Sequence, residues 1–436
     1  MTAPERRRSR AWIVLAAAFV AGCGGEPPPL RITHGPWPAE IGETEIAVWL
    51  RASRAGAGTV TLEEAREAGT LPVSQMVVFR EEEDGCRTVR FRDLAPDRAY
   101  RVRANLADGA AAPVLEFRTA PPADHAGRVR FAVGSCARED AGKPNAVFPA
   151  IAARRPDLLL LIGDTPYIDS VRLDHQFRRY REFFSDPGLL ALRRTTPLHA
   201  VWDDHDFGRN DADGRLAGKE QARRAFLAWH AEGTYGLDGE GVCSRFRRGP
   251  VEVFLLDARW WSRTAPSPDD PTKPTLLGAK QRAWLEAGLL ASTAPFKLLV
   301  TGMVWNDAVR PKKTDYWGAY PHERAGLFRF LTARRISGVV LVAGDVHRSR
   351  HFIHPPTTTG VPYPLHEIVA SPLGANIHKD AEVGSPALRF DRGEPRSFVE
   401  LDALLAPDGG AELIARWRNA AGDVLHEAKM NAADLR

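Results

Sequence analysis

Five apolar runs in this sequence each end in side chains that bind metal ions or move protons. Arg130-Phe-Ala-Val-Gly is followed by Ser135-Cys136, and Leu159-Leu-Leu-Ile-Gly by Asp164, with Tyr167 three residues further on. Leu198-His-Ala-Val-Trp precedes Asp203-Asp204-His205-Asp206, Val253-Phe-Leu-Leu precedes Asp257, and Val340-Leu-Val-Ala-Gly precedes Asp345-Val346-His347. Each alone has a bland explanation: a Gly-Asp pair after a strand caps a helix, and a solitary cysteine is commonly a small core residue. Four titratable groups in a row are harder to place, because they repel one another unless a cation lies among them. Burying several carboxylates unpaired is costly, so a metal ion is the natural counter-charge if these strand ends converge.

Convergence requires neighbouring strands. In open α/β sheets functional groups gather just beyond the carboxyl ends of the strands, where loops face a crevice. From residue 128 onward, strand-like apolar runs alternate with segments of helical period, which predicts an α/β sandwich. The predicted strands are 129–133, 158–162, 198–202, 251–256, 297–301, 339–343 and 367–369, and the predicted helices are 148–155, 175–184, 219–230, 279–290 and 321–334. Further strands at 398–404, 412–417 and 424–429 complete the same catalytic domain, 128–436. Residues 30–120 read instead as a small β-sandwich, with strands at 45–50, 76–79, 88–91, 100–103 and 115–118 between Gly, Pro and Asp breaks. Within it, Leu94-Ala-Pro-Asp-Arg-Ala-Tyr100 resembles the tyrosine corner of fibronectin type III sandwiches. Residues 119–124 form a linker, since consecutive prolines do not fit a ladder.

The ordered motifs carry a family resemblance. Phe131-Ala-Val-Gly-Ser-Cys136, Gly163-Asp164-Thr-Pro-Tyr167, Val201-Trp-Asp-Asp-His205 and Gly344-Asp-Val-His347 resemble the successive signatures of the alkaline phosphatase D family. Leu256-Asp-Ala-Arg259, Leu277-Gly-Ala-Lys-Gln281 and Trp317-Gly-Ala-Tyr-Pro-His-Glu-Arg324 fall in the same order. The resemblance implies a calcineurin-like metallophosphoesterase sandwich that hydrolyses phosphate mono- or diesters with ferric iron and calcium. By matching motif, Cys136, Tyr167 and His347 serve the iron, Asp164 bridges to calcium, and Asp204 and Asp345 hold the calcium side. Asp203 is a further ligand or an orienting group. Such a division suits the metals, because thiolate, phenolate and imidazole favour iron and carboxylate oxygens favour calcium. His205 is the candidate general acid or substrate ligand, and Arg209 and Asn210 the candidates for gripping phosphoryl oxygens. The sequence departs from the family there, with Asp206-Phe-Gly-Arg-Asn-Asp211 in place of a Glu followed by Asn residues. Asp257 and Arg259 belong either to the site or to a structural ion pair.

The N-terminus reads as an export and anchoring signal. Arg6, Arg7, Arg8 and Arg10 precede an apolar run, 11–21, too short to span a bilayer. It ends in Val20-Ala21-Gly22-Cys23, which resembles a bacterial lipobox, so a signal peptide of residues 1–22 and a lipidated Cys23 on a 23–29 linker are expected. That places the protein outside the cytoplasm, held to a membrane, at the outer one in a diderm host. A formal net charge of +4 over 436 residues, without a basic, aromatic-rich stripe, argues against a nucleic-acid partner. Of the other cysteines, Cys86 and Cys243 are able to pair, but nothing in the sequence prefers that to buried thiols. Two other classes remain open: a non-catalytic surface lipoprotein that binds carbohydrate or a partner, and a zinc hydrolase of another fold. Retention of the whole thiol, carboxylate and imidazole set argues against the first, and the absence of His-Glu-x-x-His or Cys-x-x-Cys spacing against the second.

Overall fold

The computed structural model describes residues 28–65, 71–138, 144–231 and 234–436. Among these residues the strands form four sheets. The first two make the N-terminal sandwich. Ile32–Ile41, Ile46–Ala52 and Cys86–Phe91 pair antiparallel in one; Val73–Phe79, Gly56–Glu64, Ala99–Leu106 and Leu115–Arg118 pair antiparallel, in that order, in the other. Alternation drives their formation: Tyr100, Val102, Ala104 and Leu106 point into the core, while Arg103 and Asn105 face water. Tyr100 Oη accepts a hydrogen bond from the Ala95 backbone N–H at 2.9 Å and so pins the turn that opens its strand.

The other two sheets build the larger body and share one hydrophobic core. In the six-stranded sheet Leu198–Val201, Leu158–Ile162 and Gly127–Gly134 run parallel, and Ser397–Leu405, Ala411–Asn419 and Val424–Asn431 continue it antiparallel. In the seven-stranded sheet Val251–Leu255, Phe296–Val300, Val339–Ala343 and Leu365–Val369 are parallel, and Ser244–Arg248, Ser349–His354 and Leu388–Arg392 pair antiparallel at its flanks. Leu158–Ile162, Phe296–Val300 and Val339–Ala343 are buried along their whole length, and the first and last of these read as unbroken apolar runs. The late strands join the six-stranded sheet and form no third body.

Five strands went unanticipated, and each is a poor apolar run. Ile32–Ile41 carries Gly35, Pro36 and Pro38 and survives as an edge strand with register shifts. Gly56–Glu64 opens on Gly-Ala-Gly, and Ser244–Arg248, Ser349–His354 and Leu388–Arg392 are rich in charge. The short helices Pro187–Arg193, Asp204–Phe207 and Pro356–Thr359 offer too few turns for a period to show.

The sandwich is joined to the larger body by packing. Trp37 stacks on Trp49 at 4.8 Å between ring centroids, Trp49 lies 5.2 Å from Trp229, and the Trp49 indole N–H donates to Ala228 O at 2.7 Å. Arg181 pairs with Asp84 across the same seam. Cys86, Cys136 and Cys243 are buried free thiols, so Cys86 and Cys243 are not bridged. The leader, residues 1–22, and the lipidation candidate Cys23 lie outside the described residues. No helix of the described residues is long and apolar enough to cross a membrane.

Candidate metal centre

Three adjacent parallel strands of the six-stranded sheet deliver Cys136, Asp164 and the Asp203–Asp206 segment to one end of the sandwich. Val339–Ala343 of the other sheet delivers Asp345 and His347 to the same end. The backbone turns sharply at each arrival. Cys136, Asp164, Asp345 and His347 have φ of 55°, 55°, 66° and 52°, in the left-handed region that costs a non-glycine residue about 1–3 kcal/mol. Gly163, at φ 98°, makes room: a Cβ there would lie 2.5 Å from that of Asp203.

Among the described residues three overlapping donor sets result, each with its ligand atoms within 4.8 Å of one another: Cys136, Asp164 and His347; Asp164, Asp204 and His205; Asp204, Asp211 and Asp315. Asp164 is common to the first two and Asp204 to the last two. Tyr167 Oη meets His347 Nε2 at 2.7 Å, so the phenol joins the first set. His347 Nδ1 lies 2.6 Å from Asn376 O and must donate to it, which leaves the Nε2 lone pair facing the donors.

The electrostatics fit a cation. Burial, then the charges of Asp204, Asp203, Asp206 and Asp345, push the Asp164 carboxyl well above its ordinary range. Burial and Asp164 push the Cys136 thiol well up, and burial, then Cys136 and Asp164, raise Tyr167. Burial holds His347 down at about 4, so its ring is a neutral donor. These groups ionise together only beside a positive charge, and a metal deprotonates a coordinating thiol outright. The buried Oδ2 atom of Asp203 also lacks a hydrogen-bond partner. Sulfur, phenol and imidazole around one end of Asp164, and carboxylates around the other, fit two kinds of metal ion.

His205 opens onto a cavity of about 220 Å³ that Asp164, Tyr167, Asp204, Asn210, Asp345 and His347 also line. Its Nδ1 is 2.6 Å from Asp169 Oδ1, and its ring packs 4.3 Å from that of Tyr167. Burial alone would lower its pKa; the hydrogen bond to Asp169 and the charge of Asp204 outweigh that and raise it. Asp204 is held at about 2, because Arg259, His205 and the Asp211 N–H outweigh its burial.

Some expected residues sit elsewhere. Arg209 is exposed and does not line the cavity, since the chain turns after Gly208 and presents Asn210 instead. Asp203, expected as a ligand or an orienting group, uses its Oδ1 to accept from Arg259 Nε at 2.6 Å, and it caps the one-turn helix that carries Asp204 and His205. Asp257 and Arg259 do not pair through their side chains. The Asp257 carboxylate accepts from Trp202 Nε1 and from the N–H groups of Val242, Arg259 and Trp260. The Arg259 guanidinium reaches Asp203 and, at 2.8 Å, Asp315. Sequence reasoning missed Asp169, Arg310, Lys313, Asp315 and His378. Asp169 lies in the Asp164 loop, and the Lys312-Lys313-Thr314-Asp315 charge cluster just ahead of Trp317 was the available signal for two more.

A family model described as PhoD-like phosphatase matches residues 131–394. The chain belongs to the PhoD-like phosphatase family. Every donor named above lies in the matched PhoD-like segment. Alkaline phosphatase D of Bacillus subtilis (strain 168) is 25% identical over 307 residues, 59% of this chain and 52% of that protein, so the match spans about half the length of that relative. Likeness of fold extends further. A solved structure of PhoD superposes with a TM-score of 0.74 at 18% identity, covering 93% of this chain and 92% of that one. Purple acid phosphatase PPD1 from yellow lupin (Lupinus luteus) gives 0.67 at 15% identity, covering 91% and 74%. The fold is therefore metallophosphoesterase-like, and coverage of that extent takes in N-terminal sheets as well.

Proposed function

We propose that this chain hydrolyses phosphate mono- or diesters outside the cytoplasm, as an alkaline phosphatase or phosphodiesterase of the PhoD kind. The observation that carries the reading is Asp164, whose carboxylate is shared between a sulfur- and imidazole-containing donor set and a carboxylate-rich one. Cys136, Tyr167, His347 and Asp164 would hold ferric iron; Asp164, Asp204 and Asp345 would hold calcium. When bound, such ions withdraw charge from phosphoryl oxygens and acidify water enough for it to attack near neutral pH. The chain's own residues do the rest. Asp169 fixes His205 through Nδ1, which leaves Nε2 to carry a proton toward the departing alkoxide. Asn210, not Arg209, faces the cavity as the polar contact for a phosphoryl oxygen. The N-terminal sandwich is read as fibronectin type III-like, and Cys23 as the lipid anchor that keeps the enzyme at a membrane.

Purified protein should contain iron and calcium by elemental analysis, and calcium chelation should abolish turnover reversibly. A panel of aryl phosphates, bis-aryl phosphates and phospholipids at alkaline pH ranks the substrates. Zinc as the sole metal of active protein would overturn the roles of Cys136 and Tyr167; fully metal-loaded protein without turnover on any ester would overturn the function.

A further inference from the structure

The donors of the centre lie at the floor of the cavity, and a different set of side chains lies at its rim. Cys136, Asp164 and Asp204 are at most 3% exposed, whereas Arg310 and His378 are half-buried and Arg138 is exposed. Arg138 and Arg310 both line the cavity and enter it from different sheets. Arg138 follows the Gly127–Gly134 strand of the six-stranded sheet, and Arg310 follows the Phe296–Val300 strand of the seven-stranded one. The Arg138 guanidinium stands over the Tyr167 ring, 5.5 Å from its centroid. Arg310 lies near His378: burial and then the Arg310 charge hold that imidazole below its ordinary range, and its ring stacks on His347 at 4.3 Å.

Neither guanidinium meets a carboxylate among the described residues. The carboxylates on the cavity wall are engaged elsewhere: Asp169 holds His205, Asp345 holds Lys313, and Asp164 and Asp204 belong to the donor sets. Asp380, two residues from His378, is exposed and does not line the cavity. An arginine fork beside a cavity, with no carboxylate against it, presents paired donors to two oxygens of a ligand anion. Depth separates that anion from the reacting group. The scissile phosphoryl group has to reach the donors on the floor, so the alcohol portion of the ester is what remains at the rim. We propose that Arg138 and Arg310 form a subsite for a second oxyanion, so that the preferred substrate is a phosphate ester whose alcohol portion itself carries a carboxylate or a phosphate-type group.

The inference rests on the phosphoesterase reading above, and its test separates the two. The probes are 3-carboxyphenyl and 3-phosphonophenyl phosphate against the neutral 3-carbamoylphenyl phosphate, which has the shape of the carboxylate without its charge; each is also made as its methyl diester. Wild type, Arg138→Gln, Arg310→Gln and the double variant are purified as full chains, with metal content and circular dichroism recorded. In the wild type kcat/KM should be roughly 10–100-fold higher for a charged probe than for the carbamoyl one, the worth of charge-assisted hydrogen bonds. Each single variant should lower that ratio, and the double variant should bring it close to unity. The larger of the two ratios identifies the oxyanion. A wild-type ratio close to unity for both charged probes overturns the subsite and leaves the phosphoesterase reading standing. So does a double variant that lowers kcat/KM equally for charged and neutral probes, which would place the arginines on the scissile phosphoryl group. Metal-loaded wild type that turns over none of the esters overturns the phosphoesterase reading, and the inference with it.

Discussion

Asp164 and His205 are close neighbours with different work to do. The Asp164 carboxylate lies where two donor sets meet, and its charge is what would hold the ions together. Asp164→Asn preserves the shape and removes that charge, so metal content and turnover should fall together. His205 is held by Asp169 and packed on Tyr167, facing the cavity. His205→Ala should therefore retain the metals and lower turnover by roughly 10²–10⁴-fold, the range for loss of a general acid. The loss should be larger for esters with poor leaving groups, which need protonation, than for an activated aryl phosphate. Equal losses would leave His205 as a positioning residue, and loss of metal with it would make it a ligand. Residues that end a strand could be placed from sequence because strand geometry dictates where they emerge. Arg209 could not, because it follows a one-turn helix whose exit direction depends on packing around Gly208, whereas Asn210, expected beside it, does line the cavity.

At the scale of elements, the parallel strands were legible because burial on both faces writes them as continuous apolar runs. Edge strands such as Ile32–Ile41 and Leu388–Arg392 tolerate proline and charge, so composition hides them. The loop 302–320 was opaque for another reason. Its Lys313 and Asp315 acquire meaning only through partners on other elements, Asp345 and Arg259. Arg259 itself ties three elements together: the loop after Val251–Leu255, the Asp203 cap of the Asp204–Phe207 helix, and Asp315. Arg259→Met keeps most of the volume but leaves Asp203 and Asp315 buried without their counter-charge. Breaking a buried pair in this way costs about 3–5 kcal/mol. Chemical denaturation of the metal-free protein should show a loss of that size, and a change under 1 kcal/mol would mean that water or Lys313 replaces the arginine.

For the whole molecule the weight falls on the seam between the two bodies. Three histidines lie at or near it: burial holds His34 and His199 at about 4 and His230 at about 3. Each is depressed below its unfolded value near 6.5, so the unfolded chain takes up protons first as the pH falls. Their contribution is fully present above about 6.5 and is lost progressively down to about pH 4 for His34 and His199 and about pH 3 for His230, at roughly 1.4 kcal/mol per pKa unit for each fully buried group. Denaturation series at pH 7 and pH 5 should show that loss, and His230→Phe should reduce it. The seam also decides what happens when the sandwich is removed. Among the described residues of 30–120 no donor of the centre is found, which makes a truncated enzyme conceivable on chemical grounds. Trp37 and Trp49 nevertheless belong to the core of the catalytic body, and Trp49 is 1% exposed between Trp37 and Trp229. Trp49→Ala alone should cost about 3–5 kcal/mol, the usual range for emptying a buried tryptophan site. Deleting residues 30–120 should then strip cover from the Lys219–Trp229 helix and yield aggregated protein, with no defect confined to catalysis. A soluble, folded truncation with normal metal content and turnover would show the seam to be dispensable. One that is folded and metal-loaded but inactive would show instead that the sandwich shapes the site from a distance.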